Sequence, residues 1–143
     1  MQVRNTGFQK SILYKVVRLS NRLEMEAESA LKVSFALTFS QFRALEALSA
    51  SEEITQRQLA ALMGVTPAVV SKHAEALADR GLLMQTPNPS SKREKLLKLT
   101  EKGERAVADA SKEVIRSQQN VLRDIDLQSE TALTRALDTL VEA

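Results

Sequence analysis

Gly64-Val65-Thr66-Pro67 places a helix stop and a helix start within four residues, and this restricts the path of the 143-residue chain more tightly than any other feature. Glycine closes a helix in the left-handed conformation without a steric penalty. Thr66 brings the hydroxyl that an N-cap needs, and Pro67 at the first helical position gives up no hydrogen bond. Upstream, Thr55 and Gln58 stand at capping-box spacing, so a helix is expected to begin at Thr55. Leu59, Leu62 and Met63 then recur on one of its faces. Downstream, Val70, Ala74 and Leu77 form the stripe to be buried, and Arg80-Gly81 supplies a cation for the helix end followed by a stop. Two helices joined by so short a turn must cross steeply, as in a helix-turn-helix.

A hairpin is expected next. Leu82 to Thr86 is a short apolar run closed by Pro87-Asn88-Pro89, and Lys95 to Leu99 is a second run in which Lys95 and Lys98 flank leucines. Between them lies Ser90-Ser91-Lys92-Arg93-Glu94, a polar and basic tip. Helix, turn, helix and a two-stranded basic flap make the outline of a winged helix-turn-helix. Cations at the tip of such a flap can follow a DNA backbone or enter a narrow minor groove, where negative potential is concentrated.

Long amphipathic helices flank this unit. Phe8, Ile12, Tyr14, Val16, Leu19 and Leu23 carry an apolar stripe toward Leu31, interspersed with Lys15, Arg18 and Arg22. Thr38 and Gln41 form a second capping box, opening a helix with Phe42, Leu45 and Leu48 and leaving through Ser49 to Glu53. After the hairpin, Thr100 is expected to cap a helix running through Val107, Val114, Val121 and Leu122. Asp126 then caps a last helix with Leu133, Ala136, Leu137 and Leu140 on one face. The fold expected is mainly α (α+β), one domain over 1–143, with dimerisation helices at 1–34 and 104–143 and a reader lobe at 35–103. End helices of this length carry more apolar face than one small lobe covers, and a second copy in a symmetric dimer is the simplest cover.

The order from Leu59 to Gly103, and above all its end Leu97-Lys98-Leu99-Thr100-Glu101-Lys102-Gly103, resembles the MarR (multiple antibiotic resistance regulator) family of bacterial transcription factors. Family members end the wing with a similar Leu-Thr-x-x-Gly leading into a long helix. The resemblance implies a homodimer that binds double-stranded DNA at a pseudo-palindromic operator, commonly as a repressor. It also implies possible release by a small anionic or lipophilic effector held between the dimerisation helices and the reader. Phe8, Ile12, Phe39, Phe42 and Arg43 are the candidates to border such a cleft.

On the second reader helix, the positions facing away from the buried stripe include Ala68, Val69, Ser71, Lys72 and His73, with Thr66 at its start. The N-terminal half of a recognition helix enters the major groove first. Thr66, Ala68 and Val69 are small enough for close approach, Val69 suits a thymine methyl, and Lys72 suits a guanine or a phosphate. His73, the sole histidine, fits a solvated position better than a base contact. Gln56 and Arg57 are placed to hold backbone. In the wing the candidates are Ser91, Lys92 and Arg93, Arg93 aligning with the arginine that MarR-like proteins insert into the minor groove. The family commonly carries an aspartate two residues before it, and this chain has Ser91 there.

Other function classes find little footing. The chain has no cysteine, one histidine, no glycine-rich phosphate loop and no metal-ligand spacing, so neither an enzyme nor a metal or other cofactor is expected. Glu24, Glu26 and Glu28 alternate along a helix and read as a solvated face. The five aromatics all precede residue 43, leaving no platform for stacking single-stranded bases. No apolar run approaches ~18 residues, so no membrane attachment is expected, and the lack of cysteine suits a reducing cytoplasm. Net charge is only +2, but residues 54–103 hold eight Lys/Arg against four Asp/Glu while 104–143 hold five against eight. The competing class is a winged helix that docks on protein and does not bind DNA; Lys72, Lys92 and Arg93 speak against it. Arg93→Ala is expected to weaken operator binding by about 1–3 kcal/mol if the guanidinium occupies a groove. Anisotropy titration at moderate salt measures this, and unchanged affinity removes Arg93 from the groove.

Overall fold

The computed structural model describes residues 6–142. A 3-10 turn at Gly7–Lys10 leads into α1 (Ile12–Phe35), followed by α2 (Phe39–Ser49), β1 (Ile54–Thr55), α3 (Gln56–Met63) and α4 (Pro67–Asp79). β2 (Leu83–Asn88), β3 (Ser91–Leu99), α5 (Glu101–Ser117), α6 (Gln119–Leu122) and α7 (Leu127–Val141) complete the chain. The fold is a winged helix-turn-helix within a mostly helical frame, as its sequence signals predict.

Most helix starts are local hydrogen-bond devices. Thr38 and Gln41, and likewise Thr55 and Gln58, form reciprocal capping boxes; Thr66, Thr100 and Asp126 cap α4, α5 and α7. Asp126 accepts from the Ser129 N–H at 2.7 Å, which holds its carboxyl below the usual range. Gly64 and Gly81 take φ of 65° and 71°, ending α3 and α4 where the sequence places the stops.

The core is one continuous cluster. Val70, Ala74 and Leu77 of α4 pack with Leu59 and Met63 of α3, Leu45 and Leu48 of α2, and Leu83, Leu97 and Leu99 of the sheet. Leu31 and Leu37 extend it to α1, and Val107 and Ala110 extend it to α5. Leu62, expected on the buried face of α3, is 63% exposed, and Ala60 is buried instead. A helix of two turns against α4 covers only the Leu59, Ala60 and Met63 side, so the 62 position is left facing outward.

The wing departs from expectation in three ways. It is a three-stranded antiparallel sheet of order β1-β3-β2, because Ile54 and Thr55 pair with Leu97 and Leu96. β2 does not stop at Thr86 but continues through Pro87, which pairs with Lys95. β2 is an edge strand, where proline has no ladder donor to lose. Finally, Ser91 to Glu94 lie in β3 and not in the loop; the turn itself is Pro89-Ser90, with Asn88 opposite Ser91. The register slips between Pro87 and Asn88, leaving Lys92, Arg93 and Glu94 without partners on β2. The Asn88 side-chain oxygen accepts from the Ser90 N–H at 3.0 Å and tightens the turn.

The end helices also differ in detail. α1 begins at Ile12, with Phe8 in the preceding 3-10 turn packed edge-on to Tyr14 at 5.6 Å. The helix expected to run from Thr100 through Leu122 is interrupted at Gln118. There the buried Ser117 hydroxyl donates to the Val114 carbonyl at 2.7 Å, a back-bond that tightens and bends a helix. α6 is tied to α1 by Asn120, whose amide donates to Glu26 at 2.9 Å. α7 buries no residue: Leu133 and Leu137 are more than a third exposed, Leu140 more so.

The Leu-Thr-x-x-Gly segment has a physical explanation. After α4 ends, three successive carbonyls are satisfied from the start of α5: Lys102 Nζ donates to Arg80 O at 2.8 Å, Thr100 Oγ1 to Gly81 O at 2.6 Å, and Thr100 N to Leu82 O at 3.1 Å. The first turn of α5 therefore lies directly on Leu82, and a methyl group at Gly103 would overlap the Leu82 carbonyl. Gly103→Ala is expected to cost roughly 1–3 kcal/mol by overpacking. The opposite sign is expected at Ala36, which closes α1 in the left-handed region with φ 52°. For Ala36→Gly, relief of roughly 1–2 kcal/mol outweighs roughly 0.5–1 kcal/mol of added chain entropy. Urea unfolding of both variants checks the pair; a Gly103→Ala protein as stable as the parent contradicts the close approach.

Candidate nucleic-acid interface

α4 shows its outer face to solvent along its first two turns. Thr66, Ala68, Val69, Ser71 and Lys72 are all exposed, while Val70 and Ala74 point into the core. The Thr66 hydroxyl is spent on the helix start, accepting from the Val69 N–H at 3.4 Å. Ser71 and Pro67 face a cleft of about 570 Å³ whose other walls are Gln56 and Arg57 at the start of α3 and Gln85, Arg93, Glu94 and Lys95 of the wing. Three segments far apart in sequence thus converge on one concave, polar surface. Glu75 of α4 also lines it.

His73 is placed differently from the other recognition-helix candidates. Its ring is half-buried and turned toward α2, where Nε2 and Ser40 Oγ share a hydrogen bond of 2.8 Å. Burial, and secondly the neighbouring Lys72 charge, hold the imidazole below its ordinary value of 6.5. The position expected to be solvated is instead a brace between α2 and α4. The cause is that residue 73, three beyond Val70 and one before Ala74, lies at the border of the buried stripe.

In the wing, Lys92 and Arg93 are exposed on the unpaired stretch of β3. Ser91 faces its own strand: its hydroxyl accepts from the Arg93 N–H at 3.3 Å. A serine therefore supplies a local side-chain to backbone turn at this point, of the kind an aspartate also makes. It orders the Arg93 backbone and leaves the guanidinium without an anionic partner among the described residues. Arg57 is held toward the wing, with Nε 3.6 Å from Glu94 Oε1. Gln58 is consumed in the capping box with Thr55.

Of the five residues expected to border an effector cleft, Phe39 lines an apolar cleft. It joins Val16, Leu19, Leu23 and Ala27 of α1, Val114 of α5, and Leu133 and Leu137 of α7 around an apolar space of about 310 Å³. Phe8 and Ile12 lie exposed at the N-terminal end. Phe42 is buried in the reader core, ring-stacked on Phe39 at 6.2 Å. Arg43 donates to the Met63 carbonyl at 3.2 Å, capping the end of α3.

Sequence reasoning missed Gln85 and Lys95 as cleft residues, since only the strand register brings them beside α3 and α4. It also gave Glu28 to a solvated face, whereas its carboxylate accepts from the Phe39 N–H at the start of α2 and pairs with Lys32 at 3.5 Å. Arg80, read as the terminal cation of its own helix, reaches across to α1 and donates to Phe35 O at 2.7 Å and Ala36 O at 2.8 Å. Among the described residues no group of three or more His, Cys, Asp or Glu side chains is placed to hold a metal, and no helix is long and apolar enough to cross a membrane.

A profile described as the MarR family matches residues 37–94, from the start of α2 into the wing. No curated protein sequence matches the chain. Among solved structures, wild-type apo MarR of E. coli superposes with a TM-score of 0.84 over 91% of this chain and 96% of that one, at 19% identity. The transcriptional repressor CouR bound to a 23-mer DNA duplex gives a TM-score of 0.81 over 99% of both chains at 25% identity. CouR from Rhodococcus jostii RHA1 bound to p-coumaroyl-CoA gives 0.77 over 95% of both at 23% identity.

The His73 brace has a pH signature. Because its folded value is depressed, the unfolded chain takes up the proton first, so stability rises with pH across the interval below 6.5. The contribution is complete above 6.5 and is lost as pH falls toward the folded value. Denaturation midpoints of the parent and of His73→Gln, followed from pH 7.5 to about pH 5, should diverge least at the acid end. Parallel curves contradict the brace.

Proposed function

We propose that the chain is a MarR-family winged-helix transcription regulator, a homodimeric, sequence-specific repressor acting on double-stranded DNA. The observation that carries this reading is the convergence of the exposed face of α4, the start of α3 and the unpaired basic stretch of the wing on one cleft. In this role Ala68, Val69, Ser71 and Lys72 read the major groove, Gln56 and Arg57 hold the backbone, and Lys92 and Arg93 reach the minor groove or its phosphates. That CouR has been solved on a DNA duplex supports the assignment.

Dimerisation is supported by the apolar side chains left at the two ends of the chain. Phe8, Ile12, Leu13, Val16 and Val17 at the N-terminal side and Leu127, Leu137, Leu140 and Val141 of α7 are all exposed in the single chain. Residues 1–34 and 104–143 thus serve as the dimerisation part and 35–103 as the reader. A two-fold axis between two readers sets half-sites roughly one helical turn apart. We assign the effector to the apolar cleft between α1, α5 and α7. Its single charged lining residue is Glu24, so a lipophilic compound suits it better than an anion. Ligand in this cleft acts only through different affinities for DNA-competent and DNA-incompetent spacings of the readers.

Selection from random duplexes, combined with sedimentation equilibrium, tests this reading. The expected result is a pseudo-palindromic site and a mass twice the 15.8 kDa of one chain. Affinity should fall with added salt by a slope of about −0.9 per phosphate contacted. A protein that binds no duplex at low salt but retains a partner at high salt is instead a protein-docking winged helix.

A further inference from the structure

Glu94 is the one acidic residue between Pro87 and Lys98, and it sits inside the cleft assigned to DNA. Arg57, Arg93 and Lys95 line the same space, as does Glu75 of α4, so two carboxylates stand among three cations where phosphate would lie, and Glu94 is the one paired with a cation. Its Oε1 is 3.6 Å from Arg57 Nε, and the Arg57 side chain is 82% exposed. An ion pair so open to solvent contributes little to folding. Its geometry has a larger consequence for an incoming polyanion. While Arg57 faces Glu94 its charge is partly met, and any phosphate drawing it away leaves the carboxylate unpaired beside like charge.

We infer that Glu94 is a positioning residue that acts through Arg57: it withholds this cation from phosphate and lowers the backbone affinity of the reader. The inference rests on the DNA-binding reading above. Because phosphates carry no sequence, the restraint applies to operator and random duplex alike. It sets how tightly the protein holds DNA in general, leaving discrimination to the outer face of α4. In the chain, Glu94 follows directly on Lys92-Arg93, so the wing carries its own counter-charge next to its own cations.

The test uses the full chain and two duplexes of equal length, a selected operator and a random sequence, titrated across a salt series. Glu94→Gln is expected to bind both about three- to tenfold more tightly at low salt, with a salt slope steeper by about one. In an Arg57→Gln background the same substitution should give little gain. Glu94→Gln binding as the parent does, or more weakly, with an unchanged slope, overturns the inference. So does a gain of full size without Arg57, since the carboxylate would then act directly on phosphate. Parent protein that binds neither duplex overturns the DNA-binding reading itself, an outcome distinct from both.

Discussion

The contact of Gly103 with the Leu82 backbone is the constraint on which the rest of the architecture hangs. It lets the first turn of α5 lie on the end of α4, where Thr100 and Lys102 satisfy the carbonyls of Arg80, Gly81 and Leu82. Buried or crowded carbonyls at a helix end must find partners. Here those partners also join α4, β2 and α5 in one corner.

Charged side chains elsewhere in the lobe serve helix ends more than solvent. Arg80 closes α1, Arg43 closes α3, and Glu28 meets the start of α2, each with the sign that the helix dipole favours. This changes the meaning of the positive excess in residues 54–103. Arg80 and Lys102 are engaged in holding backbone carbonyls and Arg57 faces Glu94. Among the described residues, Lys72, Lys92, Arg93, Lys95 and Lys98 are the cations of that segment with neither an ion pair nor a backbone carbonyl to hold. The electrostatic footprint is therefore narrower than the composition suggests, and it is concentrated on the wing and one position of α4.

Much of the candidate site was legible in the chain because its outline is local. Thr66-Pro67 and the stripe Val70, Ala74, Leu77 fix which face of α4 is outward, so Ala68, Val69, Ser71 and Lys72 followed from spacing. His73 did not, since its borderline position is resolved by Ser40, which lies 33 residues earlier on another helix. Ser91 looked like a lost aspartate, yet its hydroxyl still accepts from the Arg93 N–H, a role the residue type permits but the sequence alone does not display. The five residues guessed for an effector cleft scattered because apolar character marks burial without saying which cavity, if any, a side chain borders.

By itself the sequence determined where α2, α3, α4, α5 and α7 begin and where α3 and α4 end. Capping boxes, N-terminal threonines, Gly64 and Gly81 act over three or four residues, and an interaction that short has a fixed spacing that can be read directly. Only the tertiary structure decided the third strand, the slip that leaves Lys92 to Glu94 unpaired, the helices that Arg43 and Arg80 cap, and the meeting of Arg57 with Glu94. Apart from the slip, those partners lie from 20 to 45 residues apart, and a long-range contact leaves no periodic trace in the chain because packing, not spacing, selects it.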